Sequence, residues 1–268
     1  MHVAPAEFRS VRSAGLTVRF TILGDMAFVL VELPASGSKG TRLEELCERP
    51  HWAFVLDGSV ELETGDGVQA VAGGTAFHIP VGLTHRIRST GPARITGFER
   101  IDAGSDVSDE GLRRQGYQVL PGRSEVGPQA IVPTLDPRVA PPEPVEVATT
   151  GVQMGDLLFS QTRFGPRSGY ASPFCDLEHW GLVTAGSIAI EWEDDVEVLT
   201  SGDIFHCPAG PPGHRFQAAD PAATIDFTPL ASFDRGTRVV EWRHALAASV
   251  RASRSRRASR KIEVAPLR

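Results

Sequence analysis

The sequence predicts an all-β protein built from two tandem copies of one sandwich or barrel. Three observations carry this. The stretch HWAFVLDGSVELE at 51–63 returns with changes as HWGLVTAGSIAIE at 179–191. The match continues downstream in GGTAFHIPVGLTHR (73–86) and SGDIFHCPAGPPGHR (201–215). Short apolar or β-branched runs are punctuated by 27 Gly and 20 Pro, and no convincing amphipathic helix separates them in either copy. Strands of that kind make sandwiches or barrels, whereas a parallel α/β sheet needs crossover helices. An internal repeat fixes the architecture before any local reading does.

Each copy opens on a matching segment, GDMAF (24–28) and GDLLF (155–159). The separation of matching residues falls from 131 there to 128 at the His-Trp pair, so one loop of the first copy is three residues longer. Next, FVLDGSVELE and LVTAGSIAIEWE are apolar runs split by Gly-Ser, the signal of a hairpin or sharp bend. VEVLTSGDIFHCP alternates, breaks at Ser-Gly and resumes. A Pro-x-Gly turn follows in both copies, and the second copy has one extra residue before its next His. Gly58, Gly82, Gly186 and Gly210 read as turn residues.

Two regions lie outside the repeat. Residues 101–150 begin acidic and end Pro-rich (PTLDPRVAPPEPVEVA), which reads as an extended connector, partly packed over a barrel or adding an edge strand. After a helix expected near Val239 to Val250, RASRSRRASRK carries six basic residues in eleven and reads as a solvated tail. The expected organisation is an N-terminal barrel over 1–100, a connector over 101–150, a C-terminal barrel over 151–235, and a helix with a basic tail over 236–268.

Composition narrows the function. A net charge of −6 offers no basic field for collecting phosphates, which argues against nucleic acid as partner. MHVAPAEFRS has no apolar core of a signal peptide, and the run Met26 to Val31 is too short to span a bilayer. Three cysteines do not make a disulfide framework. The expectation is a cytoplasmic protein with reduced thiols and no membrane partner. Assembly into a homo-oligomer is compatible with this.

Residues four apart on a strand face the same way. Cys47 and His51 have this spacing, as do Cys175 and His179. His85 and His214 each follow the Pro-x-Gly turn, which can return a later strand beside the first. Each copy can therefore gather one thiolate and two imidazoles inside a barrel. Those donors suit zinc, iron, copper or nickel rather than calcium or magnesium, and three ligands leave room for water or substrate. The competing reading is a buried Cys as a small hydrophobe and a hydrogen-bonded core His. Two of three cysteines falling at one repeat position favours ligands. Cys207 faces Ile79 in the alignment of the copies and reads as structural. His78 and His206, two before the Pro, could be acid–base groups in the pocket, partners of a ligand, or hydrogen-bonded to backbone. Trp52 and Trp180 alternate away from the neighbouring His and should pack on the outer face or between sheets. No nucleophile elbow, phosphate loop or dinucleotide fingerprint is present.

GTAFHIPVGLTH (74–85) resembles the second sequence motif of the cupin superfamily in full, and GDIFHCPAGPPGH (202–214) resembles it with one extra residue. Counting back from Gly58 and Gly186, the first cupin motif is matched by spacing alone. Its Glu position holds His51 and His179, and its second His position holds Cys47 and Cys175. Its first His position holds Glu45 and Pro173. The resemblance, over about residues 20–100 and 150–230, is to a bicupin with a Cys-x3-His variant. It implies two antiparallel jelly-roll barrels. It also implies a divalent transition metal, with Fe or Zn first and Ni, Cu or Mn as alternatives. The metal set would be Cys47, His51 and His85, with Glu45 added, and Cys175, His179 and His214. The function it suggests is a metal-dependent enzyme on a small organic molecule, of dioxygenase type. The alternatives are a non-catalytic binding or sensor protein, or a metal-assisted isomerase or cyclase. Fold alone does not choose among them.

Overall fold

The structure is a computed structural model. It describes residues 2–3, 7–13, 16–33, 41–45, 51–89, 91–101, 106, 108–114, 118–125, 147–169, 174–210, 213–233 and 263–266. The chain starts with β1 (His2–Val3), β2 (Glu7–Ser13), β3 (Leu16–Leu23), β4 (Met26–Leu33) and β5 (Thr41–Glu45). The first repeated motif forms β6 (His51–Asp57), β7 (Ser59–Thr64), β8 (Gly67–Ala72), β9 (Thr75–Ile79), β10 (His85–Ser89) and β11 (Ala93–Arg100). Then come α1 (Asp109–Arg114) and β12 (Gln118–Glu125), followed by β13 (Val147–Met154), β14 (Leu157–Phe164) and β15 (Ser168–Gly169). The second motif forms β16 (His179–Ala185), β17 (Ser187–Trp192), β18 (Val196–Thr200), β19 (Ile204–Cys207), β20 (His214–Ala218) and β21 (Ala222–Pro229). α2 (Leu230–Phe233) and β22 (Glu263–Pro266) complete the described elements.

Two compact units result, each of antiparallel sheets. The N-terminal unit has sheets ordered β12-β2-β3-β4-β11-β6-β9-β22 and β5-β10-β7-β8. Its core draws on both sheets, with Val31, Val55, Phe77 and Ile95 from one and Val60, Leu62 and Ile87 from the other. The C-terminal unit has sheets ordered β1-β19-β16-β21-β14-β13 and β15-β20-β17-β18. Phe164, Val183 and Phe205 meet Ile188, Leu199 and Phe216 in its core.

The chain divides differently from the expected boundaries. The N-terminal unit comprises 7–126 and 260–268, and the C-terminal unit 1–6 and 127–259. The expected connector is partly structured: α1 and β12 belong to the N-terminal unit, where β12 adds an edge strand on β2. The last residues correct the expected free tail. β22 pairs antiparallel with β9, from Glu263↔His78 to Pro266↔Thr75. β1 does the corresponding thing in the C-terminal unit, pairing with β19. Backbone ladder groups on an edge strand gain partners this way. The helix expected near 239–250 and the basic run lie outside the described residues.

The repeat persists at the level of register. Trp52 lies opposite both Phe98 and His78, and Trp180 opposite both Phe227 and His206. A β-bulge falls at the same place in each, between Arg94 and Ile95 against β6 and between Val183 and Ala185 against β21. Such bulges re-aim side chains next to functional sites. The Gly-Ser bend takes a left-handed backbone in both copies, φ 75° at Gly58 and 69° at Gly186. A Cβ at either would lie 2.3 Å from a carbonyl oxygen, that of Pro92 or Pro221.

Candidate metal centre

The centre is built by strand alternation in the C-terminal unit. β20 reads HRFQA with alternating burial, so His214, Phe216 and Ala218 point inward and Arg215 outward. In β16, Trp180 lies opposite Phe227 on the outer face, which turns His179 inward. Cys175 precedes β16 and is tied to β20: its N–H donates to His214 O at 2.7 Å, and His214 N–H donates to Cys175 O at 2.8 Å. Two of the three side chains thus share one backbone bridge. The donor atoms of Cys175, His179 and His214 lie within 4.8 Å of one another. His179 and His214 are wholly buried and Cys175 is 9% exposed.

Hydrogen bonding fixes the tautomer of His179. Thr228 Oγ1 donates to Asp226 Oδ1 at 3.4 Å and so accepts from His179 Nδ1–H at 2.7 Å. Asp226 Oδ1 also lies 3.5 Å from that nitrogen. With Nδ1 holding the proton, Nε2 presents its lone pair to Cys175 Sγ at 3.2 Å. A hydroxyl and a carboxylate behind an imidazole both orient it and raise its basicity as a ligand. Trp192 and Phe216 pack against the His214 ring, each with centroids 5.5 Å away. The wall beside the trio is polar. Ser160 lies opposite Asp226 and Thr162 opposite Thr224, all buried.

The N-terminal unit differs. His51 and His85 come together with ring centroids 5.8 Å apart. His51 Nδ1 faces Glu99 Oε1 at 3.6 Å, and His85 Nδ1–H donates to Leu83 O at 3.0 Å. The residues matching Ser160, Thr162 and Thr224 by register are Val29, Val31 and Ile95, so this interior is apolar. Cys47 lies outside the described residues. Glu45 is paired with His85 across β5 and β10.

Two expected site residues are corrected. His78 stacks on Trp52 (centroids 5.2 Å, 14°) and His206 on Trp180 (5.3 Å, 3°). Strand alternation puts them on the Trp face, opposite the face that carries His51 and His179, so neither is an acid–base group of the interior. His206 Nε2 instead meets Glu178 Oε1 at 3.0 Å. Cys207 is fully buried, and desolvation pushes its thiol well above the ordinary range, which suits the structural role. The carboxylates of the neighbouring segment EWEDD (191–195) add nothing to the centre. Glu191 is held by Arg215 through two bonds of 2.7 Å, which draw its carboxyl below the usual range, and Glu193 to Asp195 are exposed. Asp226, Thr228 and Trp192 are the site residues that sequence reasoning missed. The available signal was Asp226 itself, a carboxylate inside the apolar run AATIDFT.

No protein-family model and no curated protein matches the chain. Solved structures do. A cupin 2 conserved barrel domain protein from Leptotrichia buccalis is 9% identical with a TM-score of 0.51, over 81% of this chain and 90% of that one. AerE from Microcystis aeruginosa is 13% identical with a TM-score of 0.54, over 84% and 99%. The oxalate decarboxylase of Lactobacillus farciminis, in a formate complex, is 13% identical with a TM-score of 0.57, over 85% of each chain.

Proposed function

We propose that this protein, a bicupin by fold, is a metal-dependent enzyme that acts on a small organic molecule in its C-terminal unit. The observation that carries the reading is the convergence of Cys175 Sγ, His179 and His214 within 4.8 Å. The donors fit a transition metal. Bonds of about 2.3 Å to sulfur and 2.0–2.1 Å to nitrogen place neighbouring ligands of a tetrahedral site roughly 3.6 Å apart. The observed 3.2 Å between Cys175 and His179 needs only a small adjustment. The thiol proton shared along that contact is the one that metal binding would release.

When bound, such an ion supplies Lewis acidity, and electron transfer if it is redox-active. The chain supplies the rest. Thr228 and Asp226 hold His179 in register and keep the proton at Nδ1. Ser160, Thr162 and Thr224 offer hydroxyls that can orient the polar groups of a substrate. The full burial of both imidazoles keeps bulk water from them. Three ligands leave open positions, which favours an oxygenase-type reaction with iron. The thiolate supports a second reading, a zinc-dependent isomerase or cyclase, because sulfur ligands select zinc over manganese or magnesium. The set Cys47, His51 and His85, with Glu45, would form a secondary site, so the C-terminal unit carries the chemistry and the N-terminal unit is mainly scaffold.

The test is metal analysis of protein purified without added metal, followed by oxygen uptake across a panel of small polar compounds. At least about one ion per chain is expected. Iron with substrate-dependent oxygen uptake supports the oxygenase, and zinc supports the isomerase or cyclase. Metal-free protein that also takes up none of the offered iron or zinc would overturn the enzyme reading in favour of a binding protein.

A further inference from the structure

We infer that the C-terminal site takes an uncharged hydroxy-carbonyl compound rather than an organic anion, and that Ser160 is the side chain that hydrogen-bonds its hydroxyl. This ligand belongs to the metal centre proposed above and rests on that reading. The two copies differ here. Ser160 lies opposite Asp226, whereas the corresponding pair of the N-terminal unit is Val29 opposite Gly97. The same ladder forms in both, so the fold requires neither the hydroxyl nor the carboxylate. Both groups belong to the site. Leu158 packs with Cys175, and Ser160, two residues further along β14, shares its face. Asp226 Oδ1 lies 3.5 Å from His179 Nδ1.

Ser160 is wholly buried, yet its Oγ has no hydrogen-bond partner among the described residues. A native structure rarely leaves a buried hydroxyl in that state. A ligand hydroxyl between Ser160 and Asp226 suits both: it accepts from the Ser160 O–H and donates to the carboxylate, whose two oxygens offer about four acceptor sites. Charge sets the rest. A divalent ion, the Cys175 thiolate and the Asp226 carboxylate together leave no net positive charge for an anion. The arginines described in this unit face elsewhere. Arg215 is bound to Glu191, Arg167 is exposed, and Arg163 alternates with Thr162 onto the other face of β14. The segments adjoining Cys175 and His214 in sequence, YASP (170–173) and PP (211–212), contain no basic residue. An anion entering this site would lose its hydration without gaining a counter-charge. A cation would be repelled by the metal. A neutral carbonyl oxygen can take an open position on the ion at neither cost.

Titration calorimetry of the metal-loaded full chain with lactamide and lactate tests this, because the two are nearly isosteric and differ in charge. Metal content is measured on each sample first. Protein that takes up no metal would overturn the metal reading and this ligand with it, and is told apart from a wrong ligand preference by that measurement alone. Lactamide is expected to bind with Kd on the order of 1–10 mM, as suits about six heavy atoms. Lactate should bind at least about tenfold more weakly, the reverse of what a divalent ion prefers in water. Ser160→Ala should weaken lactamide about fivefold, the worth of one neutral hydrogen bond, with metal content unchanged. Asp226→Asn, at saturating metal, should narrow the preference for lactamide over lactate several-fold. In metal-loaded protein, lactate binding as tight as lactamide, no lactamide binding up to roughly 50 mM, or full lactamide affinity in folded Ser160→Ala would each overturn the inference.

Discussion

Alanine at His179 or His214 is expected to strip the C-terminal unit of its metal, lowering affinity at least about 100-fold and removing turnover with it. Both side chains are wholly buried, and each supplies one of three donors. The strands that hold them are set by other contacts: β16 by its ladders to β19 and β21, and β20 by its ladders to β15 and β17. The fold should therefore survive, at a cost of about 1–3 kcal/mol for the emptied space and lost contacts. Metal content by elemental analysis and circular dichroism check the two halves of this result. Full metal in both folded variants would remove the histidines from the ligand set. Unfolding of both would make them structural instead. Thr228→Val separates orientation from ligation. It keeps all three donors but removes the nearer acceptor of His179 Nδ1–H, leaving Asp226 Oδ1 at 3.5 Å, and should cost roughly 10–100-fold in metal affinity.

Gly186→Ala should destabilise the C-terminal unit strongly. Two effects add there. The backbone sits at φ 69°, where an L side chain is strained, and the new Cβ would meet Pro221 O at 2.3 Å. Backbone strain costs about 1 kcal/mol, and displacing a main-chain carbonyl adds more, for a total of about 3 kcal/mol. The first unfolding midpoint should fall by roughly 6–12 °C. Gly74→Ala is the control. Its φ is 80°, yet a Cβ there has nothing within 4 Å, so only the conformational part remains. Equal midpoints for the two variants would show that the Pro221 carbonyl moves aside freely.

What could be read from the sequence, and what could not, follows from the range of the interactions. The repeat, the Gly-Ser bend and the Cys-x3-His spacing are local patterns. Strand alternation turns Trp180 away from His179 as expected, whereas Cys175 lies before β16 and reaches His179 through its bridge to His214 rather than through a regular strand. His78 and His206 were ambiguous because the Pro-x-Gly turn marks where a strand ends, not which face its last residues present. Their facing is set by pairing with Trp52 and Trp180 on another strand. Asp226 and Thr228 escaped for a similar reason: they meet His179 from 47 and 49 residues away (226 − 179 and 228 − 179). β22 is the extreme case, since Glu263 pairs with His78 and nothing in EVAP names that partner. The contrast between a hydroxyl-lined interior and a valine-lined one needs the register of β14 and β21 beside that of β4 and β11 before it becomes visible.

X-ray absorption at the edge of the copurified metal tests the central claim most directly, because it reports the donor atoms themselves. The Cys175, His179, His214 centre predicts one sulfur at about 2.3 Å and two imidazole nitrogens at about 2.0–2.1 Å, with the sulfur contribution lost in Cys175→Ser and kept in Cys47→Ser. A first shell of nitrogen and oxygen alone, or a sulfur signal that disappears with Cys47 rather than Cys175, would contradict it.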